Sequence, residues 1–357
     1  MSKFADRINK LSQFLSENQG LLLSVPTDIA YLTGFNHLVP EERESFLLIT
    51  PTTNIFFHAS FSPFQSPPGI NAHKGCALSK VGTEIKKLHQ KENLKELLVD
   101  KSNLFVDEYE ALDKLSFLKI AGFDRQHIWK LRTIKDEGEV ENLKKAAQIT
   151  QQAVTAAIKM LKVGMTEIQL KEIIETELKK FGSEKPAFPT IVAFGPNSAL
   201  PHHQPTEMAL KLEMPILIDL GGTVNGYHGD MTRTIWFGES PDAEFLKIEE
   251  NVKTAYQAAV AVLKNRQNDQ ILAKNLDHAA RSTITEAGYG KNFIHTTGHG
   301  LGLDLHENLS LNWNNEQPIL PQMVITIEPG IYLEGKFGYR YENMILVTED
   351  GALEMMT

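Results

Sequence analysis

The chain is poor in cysteine, since Cys76 is the only one among 357 residues. An intrachain disulfide is therefore excluded, and so is a cluster of thiolates that could hold zinc or an iron–sulfur centre. Long apolar runs are also missing, because none approaches the roughly 20 residues that a membrane-spanning helix needs. The N-terminal stretch MSKFADRINKLSQFLSENQG is typical of a polar amphipathic helix rather than a secretory signal. We therefore expect a cytoplasmic protein with no membrane partner.

The chain has fewer basic than acidic residues. Lysine and arginine number 36 against 45 acidic residues, which gives a formal net charge of −9. This balance argues against a nucleic-acid partner. Apolar residues make up 42% of the chain and charged residues 23%, proportions typical of a globular protein. The length is sufficient for two domains.

The first part of the chain alternates helix and strand signals, which favours a small α/β domain. Helices are predicted near residues 3–18, 82–98 and 108–121, and strands in GLLLSV, ESFLLITPTTNIFFH and LFVD. The basic connector HIWKLRTIKDEGEV follows, and Asp136 and Glu139 have the spacing of a capping box at a helix start. We place the boundary near residue 130, which gives domains 1–130 and 131–357.

The second part repeats one order, helix, helix and then antiparallel strands. Apolar stripes of helical period run from Val140 to Leu161 and again from Phe245 to Val262. The second helix of the first half is predicted from about Thr166 to Phe181. Ser240 and Pro241 are predicted as the cap and the first residue of the next helix. These patterns predict an α+β domain of two pseudo-twofold related halves whose sheets reach one central cleft.

A pair of aspartates lies in PILIDLGGTVNGYHGDMTRTIWF, which has the pattern of two strands joined across glycines. If this hairpin turns about Val224 and Asn225, Asp219 and Asp230 lie directly opposite each other. The first half of the domain therefore contributes one pair of like charges.

A pair of glutamates has the same relation in MVITIEPGIYLEGKFGYRYENMILV. If this second hairpin turns about Gly335, Glu328 and Glu342 lie directly opposite each other. Like charges in that position destabilise a sheet, so both pairs require compensating positive charge.

Divalent metal ions are the usual source of such charge, and two of them would cancel four carboxylates. His299, between glycines in TTGHGLGLDLHE, could complete the ligand set. One imidazole among four carboxylates suits Mn²⁺, and Co²⁺ and Zn²⁺ also tolerate it. Taken singly, each acid also fits a structural role at a strand end or a turn.

Motifs along nearly the whole chain resemble a known family. They are SVPTDIAYLTGF, KLRTIKDEGEVENLKKAAQIT, FGPNSALPHHQPT, IDLGG, YHGDMTRT, HTTGHGLGLDLHE, TIEPGIY and YRYEN. The chain resembles the metal-dependent creatinase/aminopeptidase superfamily, peptidase family M24, in its Xaa-Pro aminopeptidase and Xaa-Pro dipeptidase (prolidase) branch. The resemblance implies a creatinase-like α/β domain followed by a catalytic domain of pita-bread fold.

The resemblance also implies roles for particular residues. The metal ligands are Asp219, Asp230, His299, Glu328 and Glu342. The catalytic or substrate-contacting residues are His202, His295, His306, Glu328 and Arg340. Tyr227 lies before the second aspartate without a clear role, and His203 is expected to have no catalytic task.

The implied activity is hydrolysis of the bond between an N-terminal residue and proline. Two divalent ions, with Mn²⁺ favoured, would activate a bridging hydroxide, and Glu328 would carry its proton to the leaving nitrogen. The substrate would be a proline-containing dipeptide or longer peptide, and the protein is expected to be a homodimer. Neither the metal, nor the residue before proline, nor the choice between dipeptidase and aminopeptidase follows from the sequence.

Other functions remain open. A methionine aminopeptidase shares the five ligands, a creatinase-like amidinohydrolase shares the domains, and a metal-free pita-bread protein would act only by binding. One segment, FFHASFSPFQ, departs from the Asp-x-Arg-Tyr stretch of many relatives, which leaves dimer contacts and peptide length in doubt. His37 and Arg43 could reach a partner's cleft, but a surface-loop role fits them better.

Overall fold

The structure is a computed structural model that describes residues 2–36, 42–62, 64–264 and 270–355. The chain divides into two compact units, unit 1 (Met1–Arg132) and unit 2 (Thr133–Thr357). Among the described helices, none combines the length and the apolar character that crossing a membrane requires.

Unit 1 is a small α/β domain built on a mixed six-stranded sheet. The strand order is β4-β3-β2-β1-β5-β6, with β1 antiparallel to β2 and parallel to β5. Phe46, Phe57 and Ile85 are fully buried between the sheet and α3. The elements are α1 (Lys3–Ser12), β1 (Gln19–Leu23), α2 (Pro26–Thr33), β2 (Ser45–Ile49), β3 (Asn54–His58), β4 (Asn71–Lys74), α3 (Leu78–Glu92), β5 (Glu96–Val99), α4 (Val106–Asp113), β6 (Lys119–Gly122) and α5 (Gln126–Thr133).

The helix predicted at 82–98 runs too far toward the C-terminus. α3 ends at Glu92 because Asn93 adopts a left-handed conformation with a φ of 56°. Asparagine tolerates this conformation better than most residues, so it commonly ends a helix. The last residues of the predicted span form β5 instead, paired in parallel with β1.

Three further predictions in unit 1 need correction. The helix predicted at 108–121 is the shorter α4, and the end of that span begins β6. The strand predicted in LFVD is wrong because Phe105 is the N-cap of α4. The first helix, predicted to reach residue 18, ends at Ser12, whose hydroxyl donates to the Asn9 carbonyl.

Arg43 is an internal anchor of unit 1. Its guanidinium donates to both carboxylate oxygens of Glu108, at 2.8 and 2.9 Å, and to the Ser24 carbonyl at 2.6 Å. The surface-loop role predicted for Arg43 is therefore wrong. His37 lies outside the described residues. In the FFHASFSPFQ segment, Phe61 is 73% exposed.

Unit 2 repeats one pattern twice. In each half a helix of 22 residues precedes a helix of 14 residues and a set of antiparallel strands. The first half contains α6 (Glu137–Ile158), α7 (Glu167–Lys180), β7 (Ile191–Phe194), β8 (Met214–Leu220), β9 (Thr223–Val224), β10 (Tyr227–His228) and β11 (Met231–Phe237). The second half contains α8 (Ala243–Lys264), α9 (Ala273–Glu286), β12 (Gly298–Gly300), β13 (Glu307–Leu311), β14 (Val324–Ile327), β15 (Gly330–Leu333), β16 (Phe337–Arg340), β17 (Asn343–Thr348) and β18 (Gly351–Glu354). The matching helix lengths confirm the predicted pair of related α+β halves.

The capping box predicted at the start of α6 is present. The Glu139 amide donates to Asp136 Oδ1 at 2.9 Å, and the Asp136 amide donates to Glu139 Oε2 at 3.0 Å. Two amide groups that the helix itself cannot bond are satisfied in this way.

The start predicted for α8 is wrong. Asp242, rather than Ser240, accepts a hydrogen bond from the first turn, from the Glu244 amide at 2.6 Å. The Ser240 amide instead donates to Glu213 Oε2, which holds Ser240 in the preceding turn. α8 therefore begins at Ala243.

The hairpin of the first half turns one residue later than predicted. Val224 pairs with Tyr227, which leaves Asn225 and Gly226 at the tip with φ angles of 50° and 79°. Two successive positive φ angles define a type I′ turn, for which Asn-Gly is strongly preferred. The local Asn-Gly preference therefore decides where the chain reverses.

This shift changes how the two aspartates face each other. Asp219 pairs with Thr232, so Asp230 is a diagonal rather than a direct neighbour of Asp219. The two residues still lie on one face, because side chains alternate with a period of two along a strand.

The hairpin of the second half has the predicted register. Ile327 pairs with Asn343 before the acid pair, and Gly330 pairs with Arg340 after it. Glu328 and Glu342 therefore lie opposite each other between the two ladders. Gly335, with a φ of 73°, is the only residue of the turn that requires a left-handed conformation.

The two hairpins meet edge to edge. The Glu342 amide donates to the Thr232 carbonyl at 3.3 Å. The Thr234 hydroxyl donates to the Arg340 carbonyl at 2.9 Å. β11 of the first half therefore lies beside β16 and β17 of the second, which brings both acid pairs to one place.

We predict that Gly221→Ala lowers the free energy of unfolding by about 1–3 kcal/mol, the usual cost of overpacking. A β-carbon at this position would lie 1.9 Å from the Gly229 carbonyl oxygen, so the hairpin backbone would have to move. Urea denaturation measures the change. The control is Gly82→Ala within α3, where the nearest atom is 3.9 Å from the added β-carbon and a gain of about 0.5–1 kcal/mol is expected. Wild-type stability of Gly221→Ala would contradict the close approach.

Candidate active site

The acid pairs open onto a cavity of about 700 Å³ in unit 2. All nine residues that the sequence assigns to the site line this cavity: His202, Asp219, Asp230, His295, His299, His306, Glu328, Arg340 and Glu342. Apolar residues also line it, among them Phe188, Pro189, Ile191, Leu305 and Leu309. The lining of the cavity therefore combines charged and apolar side chains.

Three of the predicted ligands form a compact cluster. One donor atom from each of Asp230, His299 and Glu342 lies within 4.8 Å of the others. Asp230 is 5% exposed and Glu342 is 1% exposed, so little water reaches these carboxylates. Glu328 is more open to the cavity, with 17% of its side chain exposed.

The imidazole of His299 is oriented by its backbone surroundings. Its Nδ1 lies 3.1 Å from the Gly300 carbonyl, which can only accept, so Nδ1 is the donor. The lone pair of Nε2 then points into the cluster, 3.5 Å from Asp230 Oδ2 and 3.6 Å from Glu328 Oε1. Three electron-rich atoms thus face one another.

Burial and mutual repulsion oppose ionisation of three carboxyl groups. The pKa of Asp230 lies well above its usual value because the group is buried and faces Asp219 and Glu328. Burial and the neighbouring Asp230 likewise raise the pKa of Glu342 well above its usual value. Burial also raises the pKa of Glu328. Further positive charge is needed for all of them to be ionised together.

Asp219 is only half satisfied by the side chains around it. Its Oδ2 accepts a hydrogen bond from Arg340 Nη2 at 2.7 Å. Its Oδ1 is buried and has no hydrogen-bond partner within the part of the chain that the structure describes. A buried carboxylate oxygen without a partner is costly, so a cation at this position would remove a penalty.

Arg340 is the cation built into the site. Besides Asp219, it donates to Thr232 Oγ1 at 2.9 Å and to the Tyr332 hydroxyl at 2.7 Å. Thr232 in turn donates to Glu342 Oε2 at 2.8 Å. Burial disfavours the charge of Arg340, but Tyr332 and the surrounding carboxylates outweigh burial and raise its pKa well above its usual value. Arg340 therefore stays positively charged.

Both ring nitrogens of His295 are occupied within the protein. Nδ1 donates to the Thr296 carbonyl at 2.7 Å, and Nε2 accepts from the Tyr332 hydroxyl at 2.9 Å. Burial and the charge of Arg340 lower the pKa of His295 to about 3. His295 is thus a neutral ring with no free nitrogen, which suits contact with substrate better than proton transfer.

The other two predicted histidines are more accessible. His202 and His306 are both exposed side chains on the cavity wall. The ring of His306 packs edge-on against that of His299, with 4.3 Å between centroids. Partial desolvation of its ring and the neighbouring His299 lower the pKa of His306 to about 4, so it is neutral at physiological pH.

Two residues with unclear or no expected roles have structural partners. His203 is buried and its Nε2 lies 2.9 Å from Glu167 Oε2. Tyr227 is also buried, and its hydroxyl donates to Glu139 Oε1 of α6 at 2.9 Å. Neither residue lines the cavity.

Several supporting residues are not evident from the sequence pattern. Thr232 connects Arg340 to Glu342, and Tyr332 connects it to His295. On α9, Arg281 donates to the Phe293 and His295 carbonyls at 3.0 and 2.8 Å. Asp277, fully buried, accepts from Arg281 and from the Thr297 hydroxyl at 2.7 Å. The sequence signal for this pair is the i,i+4 spacing of Asp277 and Arg281, and that spacing is too common to identify the two residues.

Buried charge also supports the strand after His306. Lys135 and Glu307 form an ion pair of 2.7 Å with both side chains almost fully buried. The Lys135 amide donates to the Gln322 carbonyl at 2.9 Å. This pair therefore anchors the start of β13, directly beside the exposed His306.

Comparison with known proteins gives the family. Residues 141–349 match metallopeptidase family M24. An uncharacterized peptidase of Staphylococcus saprophyticus is 36% identical over 334 residues, which is 92% of each chain. An uncharacterized peptidase of Staphylococcus haemolyticus is 34% identical over 347 residues, 97% of each chain.

Solved structures share the fold over almost the whole length. The Xaa-Pro dipeptidase from Bacillus anthracis is 28% identical with a TM-score of 0.90, over 99% of this chain and 98% of that one. The prolidase from Pyrococcus horikoshii is 31% identical with a TM-score of 0.89 over the same shares. The X-Pro aminopeptidase from Thermotoga maritima is 30% identical with a TM-score of 0.85, over 97% of each chain. The chain thus belongs to metallopeptidase family M24 and has the pita-bread fold of its Xaa-Pro peptidase branch.

Proposed function

We propose that the protein is a dinuclear-metal peptidase that hydrolyses the bond between an N-terminal residue and proline. The observation that carries this proposal is the convergence of Asp230, His299 and Glu342 within 4.8 Å, with Asp219 and Glu328 on the same cavity. Arg340 is the only lysine or arginine among the described residues that line the cavity, and one cation is too few for five such donors.

The donors fit divalent cations by their chemistry. The Nε2 lone pair of His299 faces two carboxylate oxygens without an intervening donor. Asp219 Oδ1 is buried without a partner among the described residues. The raised pKa values of Asp230, Glu328 and Glu342 likewise indicate missing positive charge. We propose that these five residues hold two ions, and that hard oxygen donors favour Mn²⁺ over Co²⁺ or Zn²⁺.

Ions held in this way would supply Lewis acidity and would lower the pKa of a bound water. The chain's own residues would handle the protons. Glu328 is the carboxylate most open to the cavity, so we assign it the transfer of a proton to the leaving nitrogen. His306, neutral and exposed, is placed to donate a hydrogen bond to the carbonyl oxygen that gains charge.

The apolar side of the cavity supports proline as the residue after the cleaved bond. A prolyl nitrogen carries no N–H, so the substrate cannot be recognised by a backbone hydrogen bond there. Phe188, Ile191 and Leu305, which line the same cavity, would instead contact the ring. The neutral ring of His295 would be a further contact surface. We also propose, from the resemblance alone, a cytoplasmic homodimer.

Cleavage of prolyl peptides is the first expected outcome. Protein loaded with Mn²⁺, Co²⁺ or Zn²⁺ is incubated with Xaa-Pro dipeptides, Xaa-Pro-Xaa tripeptides and Met-Ala-Ser, and products are separated by chromatography. Release of the first residue from the prolyl peptides is expected, with the dipeptide-to-tripeptide rate ratio deciding between dipeptidase and aminopeptidase. Hydrolysis of Met-Ala-Ser alone would indicate a methionine aminopeptidase, and no hydrolysis would favour a binding protein.

We predict that Asp230→Asn or Glu328→Gln lowers kcat at least about 10³-fold, because each removes a ligand charge, while the protein stays folded. Activity, bound metal and circular dichroism are measured together. Glu334→Gln is the matched control, since Glu334 is an exposed carboxylate in the turn of the same second-half hairpin. Near-wild-type turnover in either ligand variant would contradict the assignment.

Removing the metal should expose the repulsion between the acids. A carboxyl group whose pKa is raised by folding does not lower the free energy of unfolding below its unfolded pKa of about 4. It lowers that free energy increasingly as the pH rises toward its folded pKa. After a chelator has removed the metal, Asp230→Asn should therefore stabilise unit 2 more at pH 8 than at pH 5, as measured by urea denaturation. In metal-loaded protein the same variant should be less stable than wild type. An equal gain at both pH values would rule out charge repulsion as its source.

A further inference from the structure

The segment that carries His202 has little regular structure of its own. It runs from the end of β7 through a short 3₁₀ helix at Gly195–Ala199 and then an irregular turn. Leu200 is 58% exposed and His202 is also exposed. Contacts elsewhere must therefore fix where the His202 imidazole lies over the cavity.

Glu167, the first residue of α7, accepts hydrogen bonds from residues near both ends of this segment. Its carboxylate is fully buried. Oε1 accepts from the Phe194 amide at 2.7 Å and from Asn197 Nδ2 at 2.9 Å. Oε2 accepts from the Thr206 amide at 2.8 Å and from the Thr206 hydroxyl at 2.7 Å. His203 Nε2 lies 2.9 Å from the same oxygen.

The carboxylate is favoured in its ionised form at this position. Burial alone would oppose ionisation, but the hydrogen bonds from His203, Asn197 and Phe194 outweigh burial and lower the pKa of Glu167. The N-terminus of a helix also stabilises negative charge. Glu167 is thus a fully bonded anion beneath a segment that touches the cavity.

Backbone bonds attach the far end of the segment to the same helix. The Glu167 amide donates to the Met208 carbonyl at 3.2 Å, and the Ile168 amide donates to the Thr206 carbonyl at 3.3 Å. These bonds do not involve the carboxylate. A change confined to the Glu167 side chain therefore leaves the far end attached to α7 by its backbone while removing side-chain contacts along the segment.

We propose that Glu167 is a positioning residue that sets the place of His202 through the adjacent His203. His203 is held by its ring on Glu167, and its amide donates to the Leu200 carbonyl at 3.1 Å, which closes the turn around His202. Rotation of the turn would move the His202 imidazole away from the ligands. This inference rests on the proposed role of His202 at the substrate.

Glutamine cannot replace the carboxylate. The five contacts need two oxygens that only accept, whereas an amide offers one acceptor oxygen and two donor hydrogens. Either the Phe194 and Asn197 side or the Thr206 and His203 side then loses its acceptor. Glu167→Gln keeps the side-chain shape, so its effect separates hydrogen bonding from packing.

The test is a double-mutant cycle on full-length, metal-loaded protein with a peptide that wild type cleaves. Glu167→Gln should lower kcat/KM by about 10–100-fold, the usual effect of losing a residue that orients an active-site group. His202→Ala should lower it at least as much. In the His202→Ala background, Glu167→Gln should cost less than about threefold, because the group it positions is gone. Glu177→Gln is the matched control, a buried glutamate on α7 whose hydrogen bonds go to Lys180, and wild-type activity is expected.

A second readout does not depend on activity. In metal-free protein, amide hydrogen exchange at Phe194 or at Thr206, whichever amide loses its acceptor, should be faster in Glu167→Gln than in wild type. Exchange at both amides should be unchanged in Glu177→Gln. If Glu167→Gln does not fold, Thr206→Val, which removes one hydroxyl donor, should give a smaller effect of the same kind. Fully additive losses in the cycle, or unchanged exchange, would overturn the inference. Failure of wild type to cleave prolyl peptides would overturn the proposed substrate alone. The double-mutant cycle can use whichever peptide is cleaved, and the exchange measurement needs no peptide.

Discussion

The constraint that shapes unit 2 is the concentration of negative charge where its two hairpins meet. The hairpins bring four carboxylates to one cavity, and among the described residues that line it Arg340 is the only lysine or arginine. Burial makes this arrangement costly, as the raised pKa values of Asp230 and Glu342 reflect. A protein would not maintain such a cluster for stability, so the cluster is best understood as a cradle for cations.

Arg340 links the two halves as well as moderating their charge. It lies on β16 of the second half, yet it donates to Asp219 and Thr232 of the first half. Through Tyr332 it also fixes the protonation and orientation of His295. One guanidinium thereby connects a carboxylate from each half to a histidine that lines the cavity, so its loss would disturb the contacts between the halves and the electrostatics of the cavity together.

The sequence predicts the architecture, and which side chains line the cavity, better than the boundaries of elements. The Glu328–Glu342 register was predictable because glycine in a tight turn is a strong local signal. The predicted Asp219–Asp230 register differs from the observed one by one residue in the position of the turn, because the local Asn-Gly preference places Asn225 and Gly226 at the tip. The helix predicted to extend to residue 98 ends before Asn93, which adopts a left-handed conformation, again a local preference. Thr232 and Tyr332 could not be predicted, since their roles exist only once separate strands are adjacent.

The equal lengths of the paired helices have a further implication for how the site arose. A polypeptide containing one half would carry a single acid pair, with no opposing pair to complete the cradle. It could assemble such a site only by associating with an identical copy about a twofold axis. Joining two copies in one chain would then free each to specialise. The two halves now differ in the way such specialisation would produce. One half carries the aspartates, and the other carries the glutamates, His299 and Arg340.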